Sequence, residues 1–155
     1  MQPSTDDLIR LTDEFFSRHW NRDRLKEPPT WSGLYKFEGS LPNYDKQGVY
    51  AFVKENTVTY IGVGTSFGGG RYSGHGLGKR FQAYSKVMDG RHTPTDPRLV
   101  DAGCMMTIGF PQDFAYLANA LELFLIGRMD TVHNVNRPGI PGNSGDSLLN
   151  CLNRK

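Results

Sequence analysis

Cysteine is scarce in this chain. There are two, Cys104 and Cys151, and no C-x-x-C pair, so a thiolate zinc site is not expected. Cys104 sits in the apolar run Cys-Met-Met-Thr-Ile-Gly-Phe, where a free thiol packs as a small hydrophobe. No apolar stretch approaches the roughly 18 residues that a membrane span needs. The N-terminal segment is acidic at Asp6 and Asp7 and lacks an apolar signal core, so a reduced, cytoplasmic protein is the expectation. Charge of one sign is also lacking, because the net charge is only +2. Its distribution is more telling. Between Gly62 and Arg91 stand Arg71, Lys79, Arg80, Lys86 and Arg91 against Asp89 alone. A local basic patch on a nearly neutral chain suits a polyanion held at one face, and a solvated basic face is the plainer alternative.

With 155 residues the chain can bury the core of one domain. Residues 4 to about 20 read as an amphipathic helix. Ser4 with Asp7 three residues on forms a cap, and Leu8, Leu11, Phe15, Phe16 and Trp20 recur at helical spacing. Pro28-Pro29 ends any helix, and residues 31–46 read as an ordered, packed extension. Gly48 to Val53 and Thr57 to Val63 are β-branched and aromatic, which predicts a hairpin. A three-residue loop, Lys54-Glu55-Asn56, would set Val53 against Thr57 and Tyr50 against Tyr60 on one face; a two-residue loop would separate the tyrosines. Gly48 and Gly62 would share that face and leave room for a ligand backbone.

Gly62 to Gly78 holds eight glycines in seventeen residues, which raises a nucleotide-loop reading. It fails on the residues: Arg80 follows Lys79 where Ser or Thr is required, and no G-x-G-x-x-G occurs. A mobile loop over a site, or a long turn, is left. Leu77 to Met88 reads as a helix with Arg80 and Tyr84 on one face, residues 89–98 as loop, and Cys104 to Phe110 as a third, buried strand. Pro111 to about Arg128 should be the longest helix. From Phe114 through Gly127 its only charge is Glu122, which needs an ion-pair partner or a metal ion. The ion pair is the commoner arrangement. His75, His92 and His133 read as loop histidines, and Ser147 to Leu152 as a short closing helix.

Five of these features in order resemble the GIY-YIG nucleases. Gly48-Val49-Tyr50 and Tyr60-Ile61-Gly62 stand for the two strand motifs, ten residues apart from tyrosine to tyrosine. Gly-Leu-Gly-Lys-Arg-Phe-Gln-Ala-Tyr, 76–84, is similar to the family's helix, with Arg80 and its partner Tyr84. Ala120-Leu121-Glu122 with Leu125-Ile126 resembles the helix of the metal-binding glutamate, and Asn134, twelve residues later, the trailing asparagine; Asn136 is the alternative. The resemblance covers about residues 47–138 and departs from many relatives in the glycine-rich insertion after Gly62.

The resemblance implies an α/β (α+β) fold: a small, mainly antiparallel three-stranded sheet flanked by helices. To that core, 47–138, an N-terminal helical extension, 1–46, and a C-terminal tail, 139–155, are added. It implies metal-dependent endonucleolytic hydrolysis of DNA by water attack, with no covalent intermediate. In that scheme Glu122 holds one Mg²⁺ or Mn²⁺ and Arg80 clamps the phosphate. Tyr50 activates water after a cation lowers its pKa, Tyr60 positions phosphate or water, and Tyr84 supports Tyr50. Asn134 orients the site or the metal's water shell. Arg71, His75, Lys79 and Lys86 are the candidate nucleic-acid contacts, with DNA as partner and RNA left open. Residues 1–46 could supply recognition or a homodimer contact. The alternatives are a nucleic-acid-binding module with this fold but little cleavage, or the same chemistry in restriction, repair, mobile-element or toxin use.

Overall fold

A computed structural model describes residues 2–23 and 26–134. It is mixed α+β. Helix α1 (Thr5–His19) opens on the expected capping box, in which the Ser4 hydroxyl accepts from the Asp7 N–H and the Asp7 carboxylate accepts from the Ser4 N–H. These Ser4 hydrogen bonds, followed by Arg10, hold the Asp7 carboxyl below its ordinary pKa. No helix is long and apolar enough to cross a membrane among the described residues.

Strands β1 (Gln47–Lys54), β2 (Thr57–Gly64) and β5 (Cys104–Phe110) form an antiparallel sheet in the order β2-β1-β5. The β1–β2 connection corrects the expected register. It is a two-residue turn, Glu55-Asn56, with both residues at positive φ, and it pairs Lys54 with Thr57 and Val53 with Val58. A bulge then leaves Thr59 unpaired, so that Phe52 faces Tyr60 and Tyr50 faces Gly62. The two-residue turn alone would send the tyrosines to opposite faces. The extra residue reverses the alternation once more, and Tyr50, Phe52 and Tyr60 end in one cluster.

Two further segments differ from expectation. Helix α2 (Gly76–Gln82) stops six residues before Met88, its end tightened by the Ala83 and Tyr84 N–H groups bonding back to Arg80 and Phe81 carbonyls. Strands β3 (Ser85–Met88) and β4 (Arg91–Pro94) follow as a hairpin. Its turn is Asp89-Gly90, both at positive φ, so His92 lies in a strand and packs its ring 5.3 Å from Phe81. Helix α3 (Pro97–Ala102) begins in the last two residues of the expected loop, capped by Asp96 with proline at its start. After β5, Gln112–Phe114 form a 3₁₀ turn and α4 covers only Tyr116–Ile126, so α1, with 15 residues against 11, is the longer helix.

The sheet separates two cores. On one face Val49, Ala51, Val53 and Ile61 pack with Phe15 and Phe16 of α1 and Leu121 and Leu125 of α4. On the other, Tyr50, Phe52 and Tyr60 pack with Leu77 and Phe81 of α2, Tyr84, and Leu99 of α3. Residues 31–46 run beside β5, where Ser32 and Tyr35 bond to the backbone of Thr107 and Met105, so the free edge of β5 is covered.

Candidate active site

The tyrosine face is built by β1 and β2 at its floor and α2 and α3 at its rim. Tyr50 is fully buried, at 0% exposure, and its hydroxyl lies 2.7 Å from the Tyr84 hydroxyl. Arg80 Nε donates to the same Tyr50 oxygen at 3.5 Å, and its guanidinium stands 5.5 Å from the Tyr84 ring centroid. The Tyr60 ring lies 6.0 Å from that of Tyr50. The structure therefore brings Tyr50, Tyr60, Arg80 and Tyr84 together. Arg80 is itself exposed and forms no salt bridge among the described residues.

Electrostatics set the starting point for Tyr50. Burial, and then the neighbouring Tyr60 and Tyr84, push its phenol far above the usual tyrosine range; the Arg80 hydrogen bond opposes this and loses. In the protein alone Tyr50 therefore holds its proton at neutral pH. Glycine does not leave space for a ligand here. A Cβ on Gly62 would overlap the Tyr50 ring and hydroxyl, and one on Gly48 would overlap the Ile108 carbonyl. Those glycines make room for Tyr50 and β5.

Arg98 belongs to this cluster and escaped the sequence reading. Its guanidinium lies 4.5 Å from the Tyr60 ring centroid and 5.8 Å from that of Tyr84, a cation–π geometry. Asp96 holds it bidentately, at 3.0 and 2.9 Å, and that contact keeps the Asp96 carboxyl below its ordinary pKa. Part of the signal was available: Asp96-Pro97 is a cap followed by proline at a helix start, which would have placed Arg98 on a first turn, though not beside the tyrosines.

Asn134 has a task of its own. Its amide oxygen accepts from the Ile61 N–H at 2.9 Å and its amide nitrogen donates to the Ile61 carbonyl at 2.8 Å; the Thr131 hydroxyl donates to the same amide oxygen. The side chain thus stands in for a neighbouring strand at the free edge of β2, fixing the residue between Tyr60 and Gly62. With both amide groups engaged on the backbone, Asn134 orients the strand, which agrees with the first of its two expected roles. Asn136 and Cys151 and the expected helix 147–152 lie outside the described residues.

Glu122 is 6% exposed and is the only buried carboxylate among the described residues. It lies on α4, whose apolar residues pack on the face opposite the tyrosines. The two faces meet around the edge of β2. There Thr65, just past the strand, donates to Asn119 of α4 at 3.4 Å, one helical turn before Glu122. Thr65 also lines a groove of about 460 Å³, with Val63, Gly64 and Ser66 along one side and Lys79 and Arg80 along the other. No group of three or more His, Cys, Asp or Glu gathers among the described residues, so an all-protein cage for an ion is absent there. One buried carboxylate is enough for Mg²⁺, which keeps most of its waters and takes its remaining ligands from one or two carboxylates and the substrate.

The remaining expected contacts divide. Arg71, His75 and Lys79 line a second groove of about 700 Å³ on the other side of α2, so Lys79 borders both. Lys86 lines neither and sits exposed on the β3–β4 hairpin. The glycine-rich segment runs between the grooves. It passes so close to α2 that a Cβ on Gly76 would overlap the Gly64 carbonyl. Compared with protein-family models, with curated proteins and with solved structures, the chain finds no match.

Proposed function

We propose that this protein is a metal-dependent endonuclease that hydrolyses DNA phosphodiester bonds, and that its chemistry is organised as in the GIY-YIG nucleases. The observation that carries the reading is Arg80. Among the described residues it is an exposed guanidinium with no carboxylate partner, aimed by a buried hydroxyl pair into a groove whose lining contains no acid. A scissile phosphate is the ligand that such a fork of donors suits, and lysine could not reproduce the geometry.

Tyr50 and Tyr84 position Arg80 rather than take a proton. The neutral Tyr50 hydroxyl accepts from Arg80 Nε and leaves the terminal nitrogens for two phosphate oxygens. Arg98, anchored by Asp96, adds a second fixed cation behind Tyr60 and Tyr84. Asn134 fixes the edge strand from which Tyr60 projects. Held on Glu122, Mg²⁺ or Mn²⁺ supplies, when bound, Lewis-acid stabilisation of charge on the phosphoryl oxygens. One observation favours a second reading, a nucleic-acid-binding module with little cleavage: the expected tyrosine base, Tyr50, keeps its proton in the protein alone.

Supercoiled plasmid separates the two. With Mg²⁺ the protein should nick it, and with EDTA it should not. Glu122→Ala should abolish nicking while DNA binding survives, and Arg80→Lys should lower the rate by about 10²–10³, as loss of one preorganised donor to a developing charge does. Tyr50→Phe should retain measurable nicking, because it removes an aiming contact and no base. Full activity in EDTA or in Glu122→Ala would sink the nuclease reading. Plasmid binding without nicking under every metal would establish the binding module.

A further inference from the structure

The 700 Å³ groove plays no part in the chemistry above, and its lining is unlike that of a plain solvent channel. Tyr44 and Tyr72 are 48% and 57% exposed, large rings open to water at the edge of a concave surface. His75 lies between them, meeting Tyr44 edge to face at 6.0 Å and Tyr72 at 5.8 Å. Arg71 donates to the Tyr72 hydroxyl at 2.6 Å and stands 4.8 Å from its ring centroid, so cation and ring move as one unit. Lys79 closes the side shared with the Arg80 groove, and no carboxylate lines the groove among the described residues.

Scattered exposed aromatics mean little, but these converge with two cations in one cavity. Rings held open to solvent offer faces for stacking, and the cations select for negative charge. The one common polymer that carries both flat π faces and a charge at each link is nucleic acid. In a duplex the faces of each base are covered by its neighbours. An unpaired base presents them.

We propose that this groove is a base-stacking subsite for an unpaired nucleotide of single-stranded DNA, whose adjoining phosphate lies across Lys79 in the Arg80 groove. The substrate class follows: single strands, or the flaps and loops of structured DNA, in preference to intact duplex. The proposal rests on reading the Arg80 groove as a phosphate site. The glycine-rich insertion then has a role, since residues 64–76 build the aromatic wall around Tyr72 and His75.

Binding in EDTA tests it without cleavage, so that a failure here is distinct from a failure to nick plasmid. The probes are a short labelled oligothymidylate, an abasic ladder of the same length and charge, and thymidine monophosphate. The full chain should bind the oligothymidylate at least about tenfold more tightly than the abasic ladder. Tyr72→Ala should erase that difference, binding both as the wild type binds the ladder, and Tyr72→Trp should restore it. Tyr72 is exposed, so these changes leave the cores intact. Equal wild-type affinity for oligomer and ladder would overturn the proposal, and so would an unchanged base preference in Tyr72→Ala. Monophosphate binding as tight as the oligomer would overturn it too, by making the groove a site for free nucleotide.

Discussion

The Tyr50 hydroxyl has two partners, Tyr84 at 2.7 Å and Arg80 at 3.5 Å, and no access to water to make up for losing either. Folding therefore favours its neutral form, because burial and the adjacent phenols raise the cost of a tyrosinate more than Arg80 lowers it. The consequence for stability has a definite sign. In the unfolded chain Tyr50 loses its proton near pH ~10, while in the fold it keeps it well above that. Below pH ~10 both states hold the proton and stability does not depend on this group. Above it the unfolded state binds fewer protons, and stability falls by up to about 1.4 kcal/mol per pH unit. Tyr50→Phe should cost about 1 kcal/mol at neutral pH through the lost hydrogen bond, yet it should lose less than the wild type as the pH rises. Urea titrations from neutrality to about pH 11 would show the two stability curves converging. Parallel curves would mean that Tyr50 ionises freely in the fold. Gly62 belongs to the same account, since only a missing Cβ lets the ring lie against β2.

The sheet has two free edges, and each is covered by something other than a strand of comparable length. Residues 31–46 take β5, and β2 is taken by Asn134 at Ile61, with the Pro3 carbonyl accepting from the Val58 N–H and the His133 N–H donating to the Thr59 carbonyl. Truncating Asn134 to alanine leaves a buried N–H and a buried carbonyl unpaired together. At ~1–3 kcal/mol for each unsatisfied group, Asn134→Ala should lower unfolding free energy by about 2–6 kcal/mol in urea melts. A loss under ~0.5 kcal/mol would show that water replaces the amide at this edge. Such a clamp is hard to read from sequence because its partners are 73 residues apart. Other features were plain. The Ser4–Asp7 cap with a helical apolar stripe gave α1, and β-branched runs gave β1, β2 and β5. The bulge at Thr59 was not legible, since local alternation cannot show which residue a partner strand will skip. The β3–β4 hairpin was legible and was missed: Asp89-Gly90 between short extended runs is a strong two-residue turn signal, and the helical spacing of Arg80 and Tyr84 hid it. The meeting of Tyr50, Arg80 and Tyr84 was anticipated from spacing. Arg98 was not, because its link to the site runs through Asp96 and α3 rather than through any repeat along the chain.

Over the whole molecule the small net charge conceals an uneven surface. Acids lie along α1, at Asp6, Asp7, Asp13 and Glu14, while Arg71, Lys79 and Arg80 line two grooves on either side of α2 that hold no acid among the described residues. A backbone crossing α2 would meet Lys79 whichever groove it entered first. That makes Lys79 a contact for phosphate alone, independent of base and of strandedness. Neutralising one phosphate releases its condensed counterion, and log K then falls against log salt by ~0.7 per contact on single strands and ~0.9 on duplex. Lys79→Ala should therefore weaken binding to single strands and duplex alike, and should flatten the salt slope by about one contact, ~0.7 and ~0.9 respectively. Lys54 provides the control. Its ammonium is already engaged by Asp101 at 2.8 Å, at the far end of β1 from the grooves, so Lys54→Ala should leave both slopes unchanged. Equal slopes for Lys79→Ala and wild type would remove Lys79 from the backbone's path. The two grooves would then have to be entered separately, and not by one strand laid across α2.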